Sequence, residues 1–490
     1  MAEKNASITK RSASGTISLI IRQIVVQSLN FGGNLCLARF LSVNDYGFYG
    51  IVFFVFSFVL NFGDIGLAPS LIHQTSPPSK ADRDSVFTVQ LVLSLLLAIS
   101  LSVSAPILCK YYKIDQSYSI FFHFISLTVF FLSFKSVPTV LLERDISFEW
   151  LTIIEILQAV IYNAIACILA FYQWGAYSFS IALLARTIVG TILVNIVGRN
   201  SYGLTLKLDN VKTHLKFGIP FQMGILINVI KDSISPVVIG SRMGIKMTGI
   251  VNMASLVGAF PSMLLFVMNR LFFPMFSRSK EDPLELQFLF KIAIRISNAI
   301  SAVTAMYVLF MCKPVIIYVF GEKWLPAQNL VYFFWTANLT LPSMLVCISL
   351  LNALGLPKIS MRYNVLWMFL TLSIGIPLIY PLGIYGVGIA NVVVNLSMLL
   401  VYFEAQKKVR CTILKEMFYS WFPSLPAVAA LWLISRSSPV VNFHSLVLQY
   451  IPFFLVYTAG FIVLSKKEIT AFIVRLKSKP VPKSVVSEVL

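Results

Sequence analysis

The stretch Tyr172-Gln173-Trp174-Gly175-Ala176-Tyr177-Ser178-Phe179-Ser180-Ile181-Ala182 returns as Tyr380-Pro381-Leu382-Gly383-Ile384-Tyr385-Gly386-Val387-Gly388-Ile389-Ala390, one Y-x-x-G-x-Y-x-x-x-I-A pattern displaced by 208 residues. Both copies sit in apolar surroundings, so the chain reads as an internally duplicated set of membrane helices. A looser echo has nearly the same displacement: Arg39 leads into Gly47-Phe48-Tyr49-Gly50, and Arg242, 203 residues later, leads into Gly249-Ile250-Val251-Asn252. Duplicated membrane halves are typical of transporters, with the substrate site at their interface.

Composition agrees. Of 490 residues 58% are hydrophobic and 12% are charged, about half the charge of an ordinary soluble domain. Apolar runs long enough to cross the bilayer as helices recur along the chain, and fourteen are expected, all α-helical. The first repeat marker opens span six and its copy opens span twelve, so the repeated unit is six helices. An even number of crossings gives both copies the same orientation, predicting two pseudo-symmetric six-helix lobes around a central cavity plus two C-terminal helices. The expected divisions are an N-terminal segment 1–15, an N-lobe 16–198, a linker 199–216, a C-lobe 217–403, a loop 404–416, spans thirteen and fourteen over 417–464, and a basic tail 465–490. Pro423 and Pro426 are expected to bend span thirteen.

The net charge of +19 is a matter of location. With the N-terminus inside, 26 of the 39 Lys and Arg fall in inner segments, 8 in outer ones and 5 in spans. This is the positive-inside pattern, so both termini are expected in the cytoplasm, and the cations read as orientation signals and lipid headgroup contacts, not as a nucleic-acid surface. The first fifteen residues are polar and basic with no cleavage site ahead of a short apolar core, so span one is expected to stay. Cys36, Cys109, Cys167, Cys312, Cys347 and Cys411 show no metal-ligand or disulfide-framework spacing, and His73, His123, His214 and His444 are scattered. No phosphate-cradling glycine loop and no long outer loop with a nucleophile and base are present, which argues against ATP hydrolysis and against enzyme chemistry by this chain. No cofactor is expected.

A charged side chain at mid-bilayer costs about 2.5 to 3.5 kcal/mol, so the five cations in spans require an explanation. Arg22, Lys135 and Arg295 lie close enough to inner span ends to reach headgroups, which leaves that reading open beside a cavity role. Arg186 and Lys231 lie near the middle of spans six and seven and are expected to line a water-filled cavity. Asp64, Glu155 and Asp232 are the carboxylates available for pairing or for coupling to Na⁺ or H⁺. Five cations against three anions leaves an excess that favours an anionic ligand. On span one Gln23, Gln27, Asn30 and Asn34 are spaced 4, 3 and 4 apart and share a face, as do Asn228, Asp232 and Ser235 on span seven and Glu155, Gln158 and Tyr162 on span five. Such stripes serve either as interhelical glue or as contacts to a hydroxyl-rich ligand, for which Gln27, Asn30, Asn34 and Asn228 are candidates.

Leu37-Ala38-Arg39-Phe40-Leu41-Ser42-Val43-Asn44-Asp45-Tyr46-Gly47-Phe48-Tyr49 resembles a segment of bacterial polysaccharide flippases of the Wzx type. Phe62-Gly63-Asp64-Ile65-Gly66-Leu67, Leu142-Glu143-Arg144, Phe217-Gly218-Ile219-Pro220, Leu271-Phe272-Phe273-Pro274 and Phe320-Gly321-Glu322-Lys323-Trp324-Leu325-Pro326-Ala327 are similar to further family segments in the same order, over about residues 15 to 410. The resemblance implies a transporter of the multidrug, oligosaccharidyl-lipid and polysaccharide exporter superfamily in the bacterial inner membrane. Its implied substrate is a polyprenyl-diphosphate-linked oligosaccharide, flipped by alternating access for O-antigen, capsule or exopolysaccharide assembly, with polymerase and chain-length proteins as candidate partners. Related peptidoglycan-precursor flippases use cavity arginines in their first, second and eighth helices. Arg22 matches the first and Arg270 stands at the inner end of span eight, whereas span two carries Asp64 and no arginine. The expected headgroup cations are therefore Arg22, Arg186, Lys231, Arg270, Arg295 and Lys135. An ion-coupled multidrug exporter of the same superfamily and a polysaccharide polymerase or ligase remain as alternatives, the first calling for a carboxylate-dominated site and the second for catalytic outer loops.

Overall fold

A computed structural model describes residues 22–64, 67, 70–71, 78–145, 148–198, 203–205, 222, 226–227, 229–263 and 265–478; within these, the side chains of 62–64, 235, 263, 266–270 and 472–478 are not described. Among the described residues the structure is helical and holds no strand. The chain forms two compact units that divide between Gly249 and Ile250.

The first unit contains α1 (22–40), α2 (Val43–Asp64), α3 (Lys80–Tyr112), α4 (Ser119–Arg144), α5 (Phe148–Phe171) and α6 (Tyr177–Gly198). Local chemistry sets the ends. Ser79 caps α3 by accepting from the Asp82 amide while the Asp82 carboxylate accepts from the Ser79 amide, which satisfies two of the helix's orphan donors. Lys113 closes the same helix in the left-handed conformation at φ 56°. Beyond α6 a helical segment stops in a turn at Asp232 and Ser233, and Ile234–Ile239 continues as a π-helix. Span seven is thus interrupted where continuous helix was expected. Pro236 supplies the reason, since its ring displaces the carbonyl four residues back and it has no N–H to give. α7 (Ile245–Met263) begins in this unit and ends in the second. Its first turn meets α2 backbone to backbone: a Cβ on Gly47 would overlap the Ile245 carbonyl, and one on Gly249 would stand 2.6 Å from the Val43 carbonyl oxygen. The glycines of the looser repeat echo therefore touch one another.

The second unit continues with α8 (Leu265–Ser279), α9 (Pro283–Phe310), α10 (Gln328–Trp335), α11 (Ala337–Ala353), α12 (Pro357–Leu382), α13 (Ile384–Ser397) and α14 (Leu399–Lys408). It ends with α15 (Ile413–Trp421), α16 (Ser424–Ser437) and α17 (Phe443–Ser478). Span thirteen breaks between α15 and α16, where the two prolines were expected to bend it. Ala299, Ala302, Tyr307, Leu431, Phe453 and Tyr457 make a core that seats these last helices on α9. Tyr457 donates to the carbonyls of Ala299 and Ser420 at 3.1 and 2.8 Å.

The repeat is visible in three dimensions. Gly175 turns α5 into α6 at φ +54°, and Gly383 turns α12 into α13 at φ +59°, a region costly for any side chain but open to glycine. Ala182 and Ala390 are buried, and Tyr177 and Tyr385 are each 39% exposed. Ten described helices are long and apolar enough to cross a membrane, or eleven if the pair Glu322–Trp335 and Ala337–Ala353, bent by 41°, counts as one span. The protein is a multi-pass helical membrane protein. Expected spans one, seven and eight coincide with segments that are only partly described, so the count of fourteen is not reached.

Candidate functional site

Helices α1 and α5 run parallel and touch along a ladder with a nearly constant offset in sequence. At its foot Arg22 Nη1 lies 2.9 Å from Glu155 Oε1. Two turns up, Asn163 Nδ2 donates to Asn30 Oδ1 at 3.3 Å and to the Ala159 carbonyl at 2.7 Å. A Cβ on Gly33 would overlap the Asn163 amide, so the two backbones approach closely there. At the top the Phe40 and Phe171 rings meet edge to face with centroids 5.5 Å apart.

The same stripe of α5 also meets Lys135 and Arg186. Lys135 on α4 donates through Nζ to Gln158 Oε1 at 3.0 Å. Arg186 on α6 holds its guanidinium carbon 5.8 Å from the Tyr162 ring centroid, and Tyr162 donates its hydroxyl to that of Tyr49 on α2 at 3.4 Å. Lys135 has Glu155 and Arg186 as electrostatic neighbours, and Glu143 has Arg22 and Glu155. Among the described residues no carboxylate lies within ion-pair distance of Arg186. Two buried donors, Arg22 Nε and Gln158 Nε2, have no acceptor among the described residues. An uncompensated guanidinium beside idle donors, in a helix bundle where desolvated charge is costly, is chemistry suited to an anionic, hydroxyl-bearing ligand.

The other expected residues sort differently. Asn30 is engaged with Asn163, while Gln27 is exposed and Asn34 half-buried on α1. Lys231 stands 3.7 Å from Asp232, whose side chain is largely exposed, at the break in span seven. The side chains of Arg270 and Asp64, and all of Asn228, lie outside the described residues. Arg295 does not fit a headgroup cation. It is buried on α9, its Nε pairs with Glu416 of α15, and its Nη1 lies 2.8 Å from Glu468 Oε2 of α17. Its guanidinium stacks on the Tyr419 ring at 4.3 Å. Two carboxylates and a ring enclose it, so its charge is spent on holding α15 and α17 to α9. Sequence reading missed Glu143, Glu416 and Glu468 because each lies near a predicted span end, where a carboxylate reads as solvated. Tyr49 and Tyr162 were visible only as stripe or echo members, with nothing to show that they shelve an arginine.

Comparison with known proteins gives the chain's family and fold. The chain is 22% identical over 428 residues to an uncharacterized membrane protein in the cps region of Klebsiella pneumoniae, covering 86% of each. It is 23% identical to the succinoglycan biosynthesis transport protein ExoT of Rhizobium meliloti (strain 1021), over 59% of this chain and 58% of that one. Among solved structures, the lipid II flippase MurJ in an inward closed conformation superposes with a TM-score of 0.75 at 15% identity, covering 93% of this chain and 99% of MurJ. An inward-facing multidrug resistance MATE family transporter of the MOP superfamily follows at 0.61 and 16% identity, covering 80% of this chain and 98% of that one. The fold is therefore that of these transporters. The family model described as polysaccharide biosynthesis protein matches residues 36–329, three-fifths of the sequence, and the chain belongs to that family.

Proposed function

We propose that the protein is a flippase that carries polyprenyl-diphosphate-linked oligosaccharide units from the inner to the outer leaflet of the bacterial cytoplasmic membrane by alternating access, for surface polysaccharide assembly. It acts as a transporter that breaks no covalent bond. The observation that carries this reading is Arg186, whose charge no described carboxylate compensates, within a cation-rich cluster that also holds the idle donors of Arg22 and Gln158. A diphosphate diester brings about two negative charges and many acceptor oxygens to such a site. Arg186 and Lys135 take the diphosphate, Glu155 orients Arg22 toward the same group, and Gln27 and Asn34 contact sugar hydroxyls. Lys231 and Arg270 remain further candidates for the headgroup.

Similar proteins support the substrate class, one being named a transport protein of succinoglycan biosynthesis and another, of like fold, a lipid II flippase. Positive-inside charge supports cytoplasmic termini. An interior-negative membrane favours outward movement of an anion by about 2.3 kcal/mol per charge per 100 mV, and a Na⁺ or H⁺ gradient acting through Asp232 is the alternative drive. Polymerase and chain-length proteins would receive the flipped unit.

The test is genetic and chemical. In a deletion strain carrying Arg186→Ala, lipid-linked oligosaccharide is expected to accumulate on the inner leaflet and surface polysaccharide to fall at least about tenfold, the cost of one lost charge-assisted contact. Protein in the membrane should stay at the wild-type level. Normal surface polysaccharide from that strain would refute the assignment.

A further inference from the structure

The ladder between α1 and α5 also aligns two cysteines. Arg22 with Glu155, Asn30 with Asn163 and Phe40 with Phe171 are rungs of two parallel helices in register. Between the second and the last of these rungs, the offset that joins Phe40 to Phe171 joins Cys36 to Cys167. Cys36 and Cys167 are near enough to act on each other electrostatically. Both are free and half-buried, whereas Cys109, Cys312, Cys347 and Cys411 are buried. Each of the pair stands four residues, about 6 Å of helix, below the same end of its helix. With the N-terminus inside, as in the function proposed above, that end faces the outer side of the membrane, where disulfides form and persist.

We propose that Cys36 and Cys167 are a redox modification site that closes to a disulfide and staples the outer end of α1 to α5. The partner is a disulfide-bearing oxidant of the outer compartment. One cysteine thiolate attacks the oxidant's disulfide, forms a mixed disulfide and releases one thiol; the second cysteine thiolate then displaces the other. The two cysteines lose two electrons and two protons, and the oxidant's disulfide leaves as two thiols. A disulfide requires Cα atoms about 4.4 to 6.8 Å apart, and the pair lies between the close approach at Gly33 and the Phe40–Phe171 contact, which hold α1 against α5 on either side of it. The sequence hides the pair, because its members are 131 residues apart and match no motif.

The full-length protein in spheroplasts, treated with oxidised glutathione, which does not cross the membrane, is the test. After unfolding in N-ethylmaleimide without reductant, alkylatable cysteines should fall from six to four. Mass spectrometry of the digest should find the peptide of Cys36 joined to that of Cys167. Dithiothreitol should restore all six, and Cys36→Ser should abolish the joined peptide. Six alkylated cysteines in spheroplasts would overturn the proposal, whether or not copper phenanthroline joins the pair in purified protein, since linkage confined to the latter would put the thiols out of reach of the oxidising side.

Discussion

Arg186 in the first unit and Arg295 in the second are both arginines within apolar helices, and their surroundings differ. Arg295 is enclosed by Glu416, Glu468 and the Tyr419 ring, and every rotamer that frees it would strand two carboxylates. Arg186 rests on a tyrosine face, which leaves its N–H edge without a carboxylate among the described residues. Near Arg295, Asn298 donates to Ser343 Oγ at 2.8 Å and accepts from Trp421 Nε1 at 3.2 Å. Asn338 accepts from Ser262 and donates to the Gly258 carbonyl, both at 2.7 Å. Buried donors without a partner among the described residues occur in both units, Arg22 Nε and Gln158 Nε2 in the first and Ser297 Oγ and Trp367 Nε1 in the second. In the function proposed above, what separates a binding arginine from a structural one is the state of its partners and its burial, Arg186 being half-buried and Arg295 buried.

Breaking each arginine should expose this contrast most strongly. Arg295→Ala leaves two carboxylates unpaired among helices, and a loss of about 3 to 5 kcal/mol is expected, read as reduced membrane protein and a lower melting temperature in detergent. Arg186→Ala should change stability by less than about 1 kcal/mol, as for an exposed contact, while removing transport. If both variants unfold alike, the division of labour is wrong.

Neutralising the whole group sharpens the point. The triple variant Arg295→Met, Glu416→Gln, Glu468→Gln should recover about half or more of the stability lost by Arg295→Ala, because no charge is left buried alone. Equal instability of single and triple variants would mean that packing, not charge pairing, ties α15 and α17 to α9.

Smaller effects are expected from the ladder and the amide network. Gly33→Ala drives a methyl into Asn163 and should cost about 1 to 3 kcal/mol by overpacking, with Arg22 and Glu155 forced apart at the same time. A drop in transport beyond that explained by protein level would tie the rung to the site. Trp421→Phe removes only the N–H bonded to Asn298 and should cost about 1 kcal/mol, measured as a small shift in melting temperature.

The helical membrane class, the positive-inside orientation signal and the duplication could be read from the chain because they depend on composition and on local backbone needs. Gly175 and Gly383 are repeated because the same tight turn requires the same positive φ twice. The break ahead of Pro423 was likewise legible as a proline effect, whereas the 41° bend at residue 336 has no such signal beside it. Hydropathy did not foresee the turn at Asp232, where neighbouring polar residues were read as one continuous helical stripe.

The sequence by itself determined which residues must cross the lipid and that too many of them are cations, since the cost of burying charge or polar backbone is local and nearly independent of partners. Only the tertiary structure decided which cation is answered. Glu416 and Glu468 lie 121 and 173 residues from Arg295, and Cys36 on α1 and Cys167 on α5 are neighbours with three helices of chain between them. Pairings of that range follow from how helices pack against one another, and no spacing within a single helix records them.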